Sequence, residues 1–231
     1  MRIDIKGDII DDDLQEVYEY FGIPAVCPKS VTDQLAEAAD DEPIDVYINS
    51  YGGSVFAGAD IYSELRGRNV TVYITGLAAS AASVIACSGR RTLISPAGCV
   101  MAHNASGGAY GDYHVMEKTA ETLKSINRTI TGAYMEKTGK TEQELLKIMD
   151  RETWMNASDA VANGFCDGVI ERPAEKDAAA QVKPAAAGMS ASLTAEQIAH
   201  ARREIAKAKS ADDDRKRKAV ASMRLLKTSV K

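Results

Sequence analysis

The sequence predicts an α/β fold assembled from βαβ units, and three observations carry that prediction. Residues 44–49 read as a strand. Ser54 then opens a helix with Val55, Ala59, Tyr62 and Leu65 inward, and residues 70–74 read as a second strand. Strand, helix, strand in close succession is a crossover unit, which sets its two strands parallel. The pattern recurs: a helix after Ser80, carrying Val84, Ile85 and Ala86, leads to strands at 91–95 and 99–103. Capping chemistry marks where further helices begin, notably Thr141 with Glu144.

The remaining elements follow in chain order. Residues 1–10 alternate like a strand ending in Gly7-Asp8. Asp11-Asp12-Asp13 opens a helix whose Leu14, Val17, Tyr18 and Phe21 repeat at i, i+3, i+4, i+7, and Gly22 and Pro24 end it. Ser30 with Asp33 has the form of a capping box for a second helix with Val31, Leu35 and Ala38 inward. A long helix begins near Asp112, with Tyr113, Met116, Ala120, Leu123, Ile126, Ile130 and Tyr134 along one face. At about 25 residues it exceeds the usual length and is expected to project or to pack on a partner. Thr141 starts a helix reaching about Met149, Asn156 caps a last one closed by Asn163-Gly164, and residues 166–170 make a short edge strand. The folded body is thus expected over 1–171. Residues 172–192, rich in Ala, Pro, Lys and Ser, read as a linker. Residues 193–231 read as a basic helical tail, with a Thr194/Gln197 capping box and a Leu193/Ile198 staple.

Composition narrows the classes. Hydrophobic residues make up 45% of the 231, enough for a core, and no run of apolar residues suits a membrane span. The first residues lack the apolar centre of a signal peptide. Four cysteines without CxxC spacing support neither a zinc site nor a disulfide frame, so a reducing cytoplasm is expected, with no metal and no cofactor. The net charge of −5 conceals an asymmetry. Residues 173–231 carry 13 Lys and Arg against 7 Asp and Glu, while the rest carries 15 against 26. A body at −11 with a tail at +6 points to two functional parts.

The stretch Gly76-Leu77-Ala78-Ala79-Ser80-Ala81-Ala82-Ser83 crowds small residues where a strand gives way to a helix. Such a turn either packs tightly in a core or presents one hydroxyl at a helix start. Only three histidines exist. His200 falls on the tail and His114 on the long helix, whereas His103 ends an apolar strand before a glycine-rich loop, where a general base sits in an open parallel sheet. A structural histidine fits there as well. Gly52-Gly53, also at a strand end, makes a tight turn or offers backbone N–H groups to an oxyanion, and the N–H of Ala81 would supply another.

Together these segments resemble one family. Tyr47-Ile48-Asn49-Ser50-Tyr51-Gly52-Gly53-Ser54-Val55, the Gly76-to-Ser83 stretch, Val100-Met101-Ala102-His103-Asn104, and Glu152-Thr153-Trp154-Met155-Asn156-Ala157-Ser158-Asp159-Ala160-Val161-Ala162-Asn163-Gly164-Phe165-Cys166-Asp167 are similar to the ClpP serine peptidases, in order and with fitting spacings. The Glu-Thr-Trp segment and the tail most resemble ClpP-like head maturation proteases of phages and prophages, which implies a bacterial host cytoplasm. The resemblance implies a ClpP/crotonase-like spiral fold, Ser80 as nucleophile, His103 as base, and Gly53 and Ala81 as oxyanion donors. Gly107, Gly108 and Ala109 would lie on the substrate-aligning strand.

For the acid, the resemblance implies Glu152 where the family has Asp, with Asp150 as competitor. Ser83 is the rival nucleophile, and Tyr51 stands where the family has Pro. The resemblance further implies a homo-oligomer of heptameric rings, a tetradecamer if doubled, with the long helix as the handle between rings. A peptide or protein substrate, such as a capsid or scaffold protein, is expected, and no nucleic acid. The absence of GxxxxGK[ST] leaves any unfolding to a partner ATPase. Three rivals stand beside this reading: a catalytically silent ring scaffold, a crotonase-like acyl-CoA enzyme, and a signal-peptide-peptidase-like protease. The last needs a catalytic Lys, and none occurs between Lys29 and Lys118.

Overall fold

A computed structural model describes residues 1–39, 41–171 and 193–210. The linker expected over 172–192 and the last stretch of the tail, 211–231, lie outside the described residues. The chain forms two compact units. The larger takes in residues 1–15 and the body from Pro24 onward, and the smaller joins Glu16–Ile23 to the segment from Ala191.

The larger unit is a mixed α/β structure built on one sheet, as the alternation of strand and helix patterns predicts. Strands β1 (Arg2–Ile9), β2 (Ala25–Val26), β3 (Ile44–Gly53), β4 (Val70–Ala79) and β5 (Arg91–Ile94) are parallel to their neighbours. So is β8 (Gly168–Val169), in the order β2-β1-β3-β4-β5-β8. β6 (Cys99–Ala102) pairs with the far end of β4, and β7 (Thr153–Asn156) pairs antiparallel with β6. Neither the two-residue β2 nor the antiparallel β7 is anticipated by the sequence pattern. Helices α2 (Pro28–Leu35), α3 (Val55–Leu65), α4 (Ala81–Ala86), α5 (Tyr113–Thr138), α6 (Glu142–Asp150) and α7 (Ala157–Ala162) complete the unit.

The core is aliphatic: Ile3, Ile5, Val46, Ile48, Val72 and Ile74 from the sheet meet Ile61, Leu65 and Ile85 from α3 and α4, all fully buried. Burying such side chains contributes about 1.5–3 kcal/mol each. β4 serves two pairings, its Thr71–Ile74 half beside β5 and its Leu77–Ala79 half beside β6. The changeover falls near Gly76, where a Cβ would lie 2.5 Å from the Asn49 amide oxygen, and that oxygen accepts from the Leu77 N–H at 3.0 Å. Close approach to a neighbouring side chain explains this glycine.

Several helix details correct the sequence reading. α2 starts two residues before Ser30, at Pro28, with Cys27 as N-cap. Ser30 accepts from the Cys27 N–H at 3.3 Å and donates to the Cys27 carbonyl at 2.7 Å, so it is the third helical residue and not the cap. On α3 the buried face is Ala57, Gly58, Ile61 and Leu65, rotated from the expected Val55, Ala59 and Tyr62, which stay half-exposed. Gly58 accounts for the rotation: its missing side chain lets α3 close on Ala81, whose Cβ would be 2.9 Å from an added one. The Thr141/Glu144 capping box forms as expected, with Thr141 N–H donating at 2.9 Å. α5 runs 26 residues, but only its second half is buried, at Ile130, Thr131, Ala133 and Tyr134. Tyr113 and Met116 are exposed. The buried Lys137 ammonium meets Asp167 at 2.6 Å and anchors the end of α5 to the β5 edge, where the same carboxylate accepts from the Thr92 N–H.

In the smaller unit, residues 195–210 are helical after the Thr194/Gln197 box, with Thr194 N–H donating at 2.8 Å. Lys209 reaches the Glu16 carboxylate at 2.6 Å. Glu16 lies on α1 (Gln15–Phe21).

Candidate active site

The site forms where three strands end together. β3 ends at Gly52-Gly53, β4 ends at Ala79, and β6 ends at Ala102, one residue before His103. The Ser80 N–H donates to the Met101 carbonyl at 3.0 Å, which locks the end of β4 to β6.

Ser80 is the junction between β4 and α4, and it holds φ 55° and ψ −126°. A left-handed backbone at a non-glycine residue costs on the order of 1–3 kcal/mol and persists only where the surroundings enforce it. Here the strain turns the hydroxyl out of the sheet. His103 Nε2 lies 2.7 Å from Ser80 Oγ, within hydrogen-bond reach for proton transfer. Ser83, three residues on, is fully buried. Its hydroxyl contacts the Ser80 carbonyl at 2.6 Å and the Tyr134 hydroxyl at 2.7 Å, so it is committed to structure. Burial holds the Tyr134 phenol well above its ordinary range, protonated throughout the working pH range.

Gly53, Ser80, Ala81 and His103 line one cavity of about 290 Å³, together with Val84 and Tyr134. The glycine pair is sterically required. Gly52, at φ 99°, has no room for a side chain, since a Cβ would lie 2.7 Å from that of Ser80. Gly53, at φ 148°, would place one 2.0 Å from the Ile9 carbonyl oxygen. Ser50 donates to the Gly7 carbonyl at 2.6 Å and accepts from the Gly52 N–H at 3.0 Å. Ser54 donates to Asp11 at 2.7 Å and fixes the turn from the other side.

The two candidate acids are placed differently. Glu152, at φ 46°, precedes β7. Because Ala102 pairs with Thr153, one further step in register sets Glu152 opposite His103. Its carboxylate, however, accepts from Trp154 Nε1 at 3.3 Å. Asp150 accepts from Asn104 Nδ2 at 2.9 Å. Among the described residues neither carboxylate hydrogen-bonds His103. His103 is steadied instead through the next residue. Asn127 of α5 donates to the Asn104 side chain at 2.9 Å and accepts from the Ala105 N–H at 2.8 Å. Gly107, Gly108 and Ala109 are exposed and outside the cavity wall, whereas Ala105 and Ser106 belong to it.

Sequence reasoning did not assign Val84, Ile130, Tyr134 or Asn127 to the site. Val84 lies four residues after Ser80 on α4, and Ile130 and Tyr134 are an i, i+4 pair on the buried half of α5. Their apolar spacing was legible as core, and nothing in it marked a cavity.

A strained serine at a strand–helix junction, bonded to a histidine at the end of the adjacent strand, defines a site for nucleophilic acyl chemistry. Comparison with known proteins agrees. The Clp protease family profile matches residues 27–173. The chain is 32% identical over 142 residues to an ATP-dependent Clp protease proteolytic subunit of Porphyromonas gingivalis, covering 60% of this chain and 64% of that one. It is 31% identical over 176 residues to proteolytic subunit 1 of Chlamydia abortus, covering 71% of this chain and 91% of the other. Proteolytic subunit 2 of Gluconobacter oxydans matches at 29% over 180 residues, or 74% and 80%. The chain belongs to the Clp protease family of serine peptidases.

Proposed function

We propose that the chain is an endopeptidase whose nucleophile is Ser80, and the 2.7 Å approach of His103 Nε2 to Ser80 Oγ carries this reading. His103 takes the hydroxyl proton as Oγ attacks the peptide carbonyl. The oxyanion is held by the N–H groups of Gly53 and Ala81, His103 returns the proton to the leaving amine, and water hydrolyses the acyl-enzyme. Glu152 is the acid. Its place across from His103 in the β6–β7 register supports it over Asp150, and turning its carboxylate from the Trp154 indole toward the imidazole completes the triad. The exposed 107–109 segment binds extended substrate by backbone pairing.

The unit of action is a homo-oligomeric ring, heptameric and stackable in pairs. The uncovered first half of α5 supports this, since Tyr113 and Met116 present apolar surface that a second copy would cover. These relatives are named as ATP-dependent proteolytic subunits, and a partner ATPase would serve this chain likewise. Head maturation of a phage or prophage, acting on a capsid or scaffold protein in the host cytoplasm, is the biological setting that the Glu152-Thr153-Trp154 segment and the basic tail support. The tail after residue 192 is a separate docking part.

The test is labelling with a fluorophosphonate alongside hydrolysis of a fluorogenic peptide. Wild type and Ser83→Ala are expected to label, and Ser80→Ala to lose both label and turnover. Labelling that survives Ser80→Ala overturns the assignment.

A further inference from the structure

A trans peptide is planar, and its C=O and N–H point in opposite directions. The Ser80 carbonyl and the Ala81 N–H belong to one such unit, so whatever holds the carbonyl also aims the N–H. The carbonyl is held on the α4 side. It accepts from the Ser83 N–H at 2.9 Å, from the Val84 N–H at 3.4 Å and, most closely, from the Ser83 hydroxyl at 2.6 Å. A carbonyl can only accept, so the proton of the Ser83 hydroxyl is committed there. Tyr134 must then be the donor in its 2.7 Å contact with Ser83. The order is therefore Tyr134 hydroxyl to Ser83 hydroxyl to Ser80 carbonyl, and each donation polarises the next. Burial keeps the phenol protonated as a donor, and its ring is packed edge-on against Phe165 at 5.2 Å.

The Ala81 nitrogen lies on the side of the glycine turn, where a Cβ on Gly52 would come within 2.9 Å of it. Ala81 is the first residue of α4, so its N–H has no partner within the helix. The local backbone does not favour this arrangement. At φ 55° and ψ −126°, Ser80 is outside the regions open to L-residues. A half-turn of the Ser80–Ala81 peptide would carry ψ to about +54°, close to the left-handed well at about +57°, +47°. That flip would relieve Ser80, but it would place a carbonyl where the oxyanion has to form. The bond from the Ser80 N–H to Met101 restrains only the preceding peptide.

We propose that Ser83 and Tyr134 are positioning residues for the reaction. Their paired hydroxyls lock the Ser80–Ala81 peptide, with the carbonyl turned into α4 and the Ala81 N–H turned to the oxyanion. This inference rests on Ser80 as nucleophile and Ala81 as oxyanion donor. The lock acts through the backbone.

Steady-state kinetics of a Ser83→Ala/Tyr134→Phe double variant of the full chain test it. Removing both hydroxyls strands no buried partner, so the thermal melt should stay near that of wild type. For a fluorogenic peptide kcat should fall about tenfold or more, towards the 10²–10³ that loss of a whole donor costs. KM should not change, because the oxyanion exists only beyond the ground state. A peptide boronic acid, whose tetrahedral adduct on Ser80 sets an oxygen in the same place, should bind more weakly by the same factor. An uncleavable peptide should bind as it does to wild type, and fluorophosphonate should still label Ser80 to completion, more slowly. Tyr134→Phe alone keeps the Ser83 bond to the carbonyl, should lower kcat only a few-fold, and serves if the double variant does not fold. Wild-type kcat in a folded variant overturns the lock and leaves the peptidase reading standing. So does a loss that falls equally on binding of the uncleavable peptide. Absence of labelling at Ser80 in the wild type overturns the peptidase reading and the lock with it.

Discussion

The two sides of His103, the proposed base, are built by different means. On the Ser80 side, Ser80, Gly52 and Gly53 are positioned by backbone geometry, braced by the Ser50, Ser54 and Ser83 hydroxyls. Parallel strands end in step, the Ser80 N–H is tied to Met101, and glycines lie where any side chain would collide. On the side of the proposed acid, β7 sets Glu152 across from His103, but the carboxylate lies against Trp154. Backbone fixes one half of the machinery, and a side-chain rotation decides the other. Substitutions on the first side should therefore be nearly all-or-none, and those on the second graded.

The largest effect is expected from Gly53→Ala. A Cβ 2.0 Å from the Ile9 carbonyl forces the turn to move and withdraws the N–H proposed to hold the oxyanion, and loss of one such donor alone costs about 10²–10³ in kcat. Peptide turnover should fall at least that far while fluorophosphonate labelling slows in parallel. Retention of more than a tenth of the activity would show that the glycine turn is not a rigid part of the site. Next comes Glu152→Gln, expected to lower kcat by up to about 10⁴ if the carboxylate orients the imidazole as in other triads. Asp150→Asn should cost less than about tenfold, because Asn104 remains held by Asn127. The reverse ranking moves the acid to Asp150.

Trp154→Phe probes the rotation directly. Removing the indole donor frees Glu152, and kcat is expected to rise by up to a few-fold, since a hydrogen bond of this kind is worth about 0.5–1.5 kcal/mol. A fall in kcat would make the indole a support for the acid and not its competitor. The smallest effect concerns Glu136, at the rim of a second cavity of about 340 Å³ lined by α3, Val84 of α4 and α5. The Arg66 guanidinium holds its carboxyl below the usual value of 4.5. Its ionised form therefore favours folding above that value, and the contribution disappears as pH falls through the lowered one. Because both side chains are half-exposed, Glu136→Gln should remove no more than about 1 kcal/mol at neutral pH and nothing at low pH, readable from thermal melts at the two pH values.

What could be read from the sequence follows from what leaves a local trace. The βαβ alternation, the Thr141 and Thr194 boxes and the length of α5 are written in neighbouring residues. Ser80 and His103 stood out because a small-residue elbow and a strand-end histidine are local features too, even though their 2.7 Å contact spans 23 positions. The rotation of α3 left no such trace, because it depends on Gly58 meeting Ala81, two small residues with no hydropathy contrast. β7 is four residues long, and its pairing with β6 joins segments more than fifty positions apart. The second cavity escaped for the same reason: its wall takes apolar residues from three helices, each of which reads alone as ordinary core.

Ser83 and Tyr134 have a consequence beyond excluding a rival nucleophile. Their hydroxyls join the carbonyl of Ser80 to the buried half of α5, while the outer half of that helix, about 13 residues or roughly 20 Å at 1.5 Å each, buries no residue. α5 is thus pinned near one end to Ser80, the proposed nucleophile. A change in the tilt of α5 therefore bears directly on the Ser83 and Tyr134 hydroxyls that hold the Ser80 carbonyl.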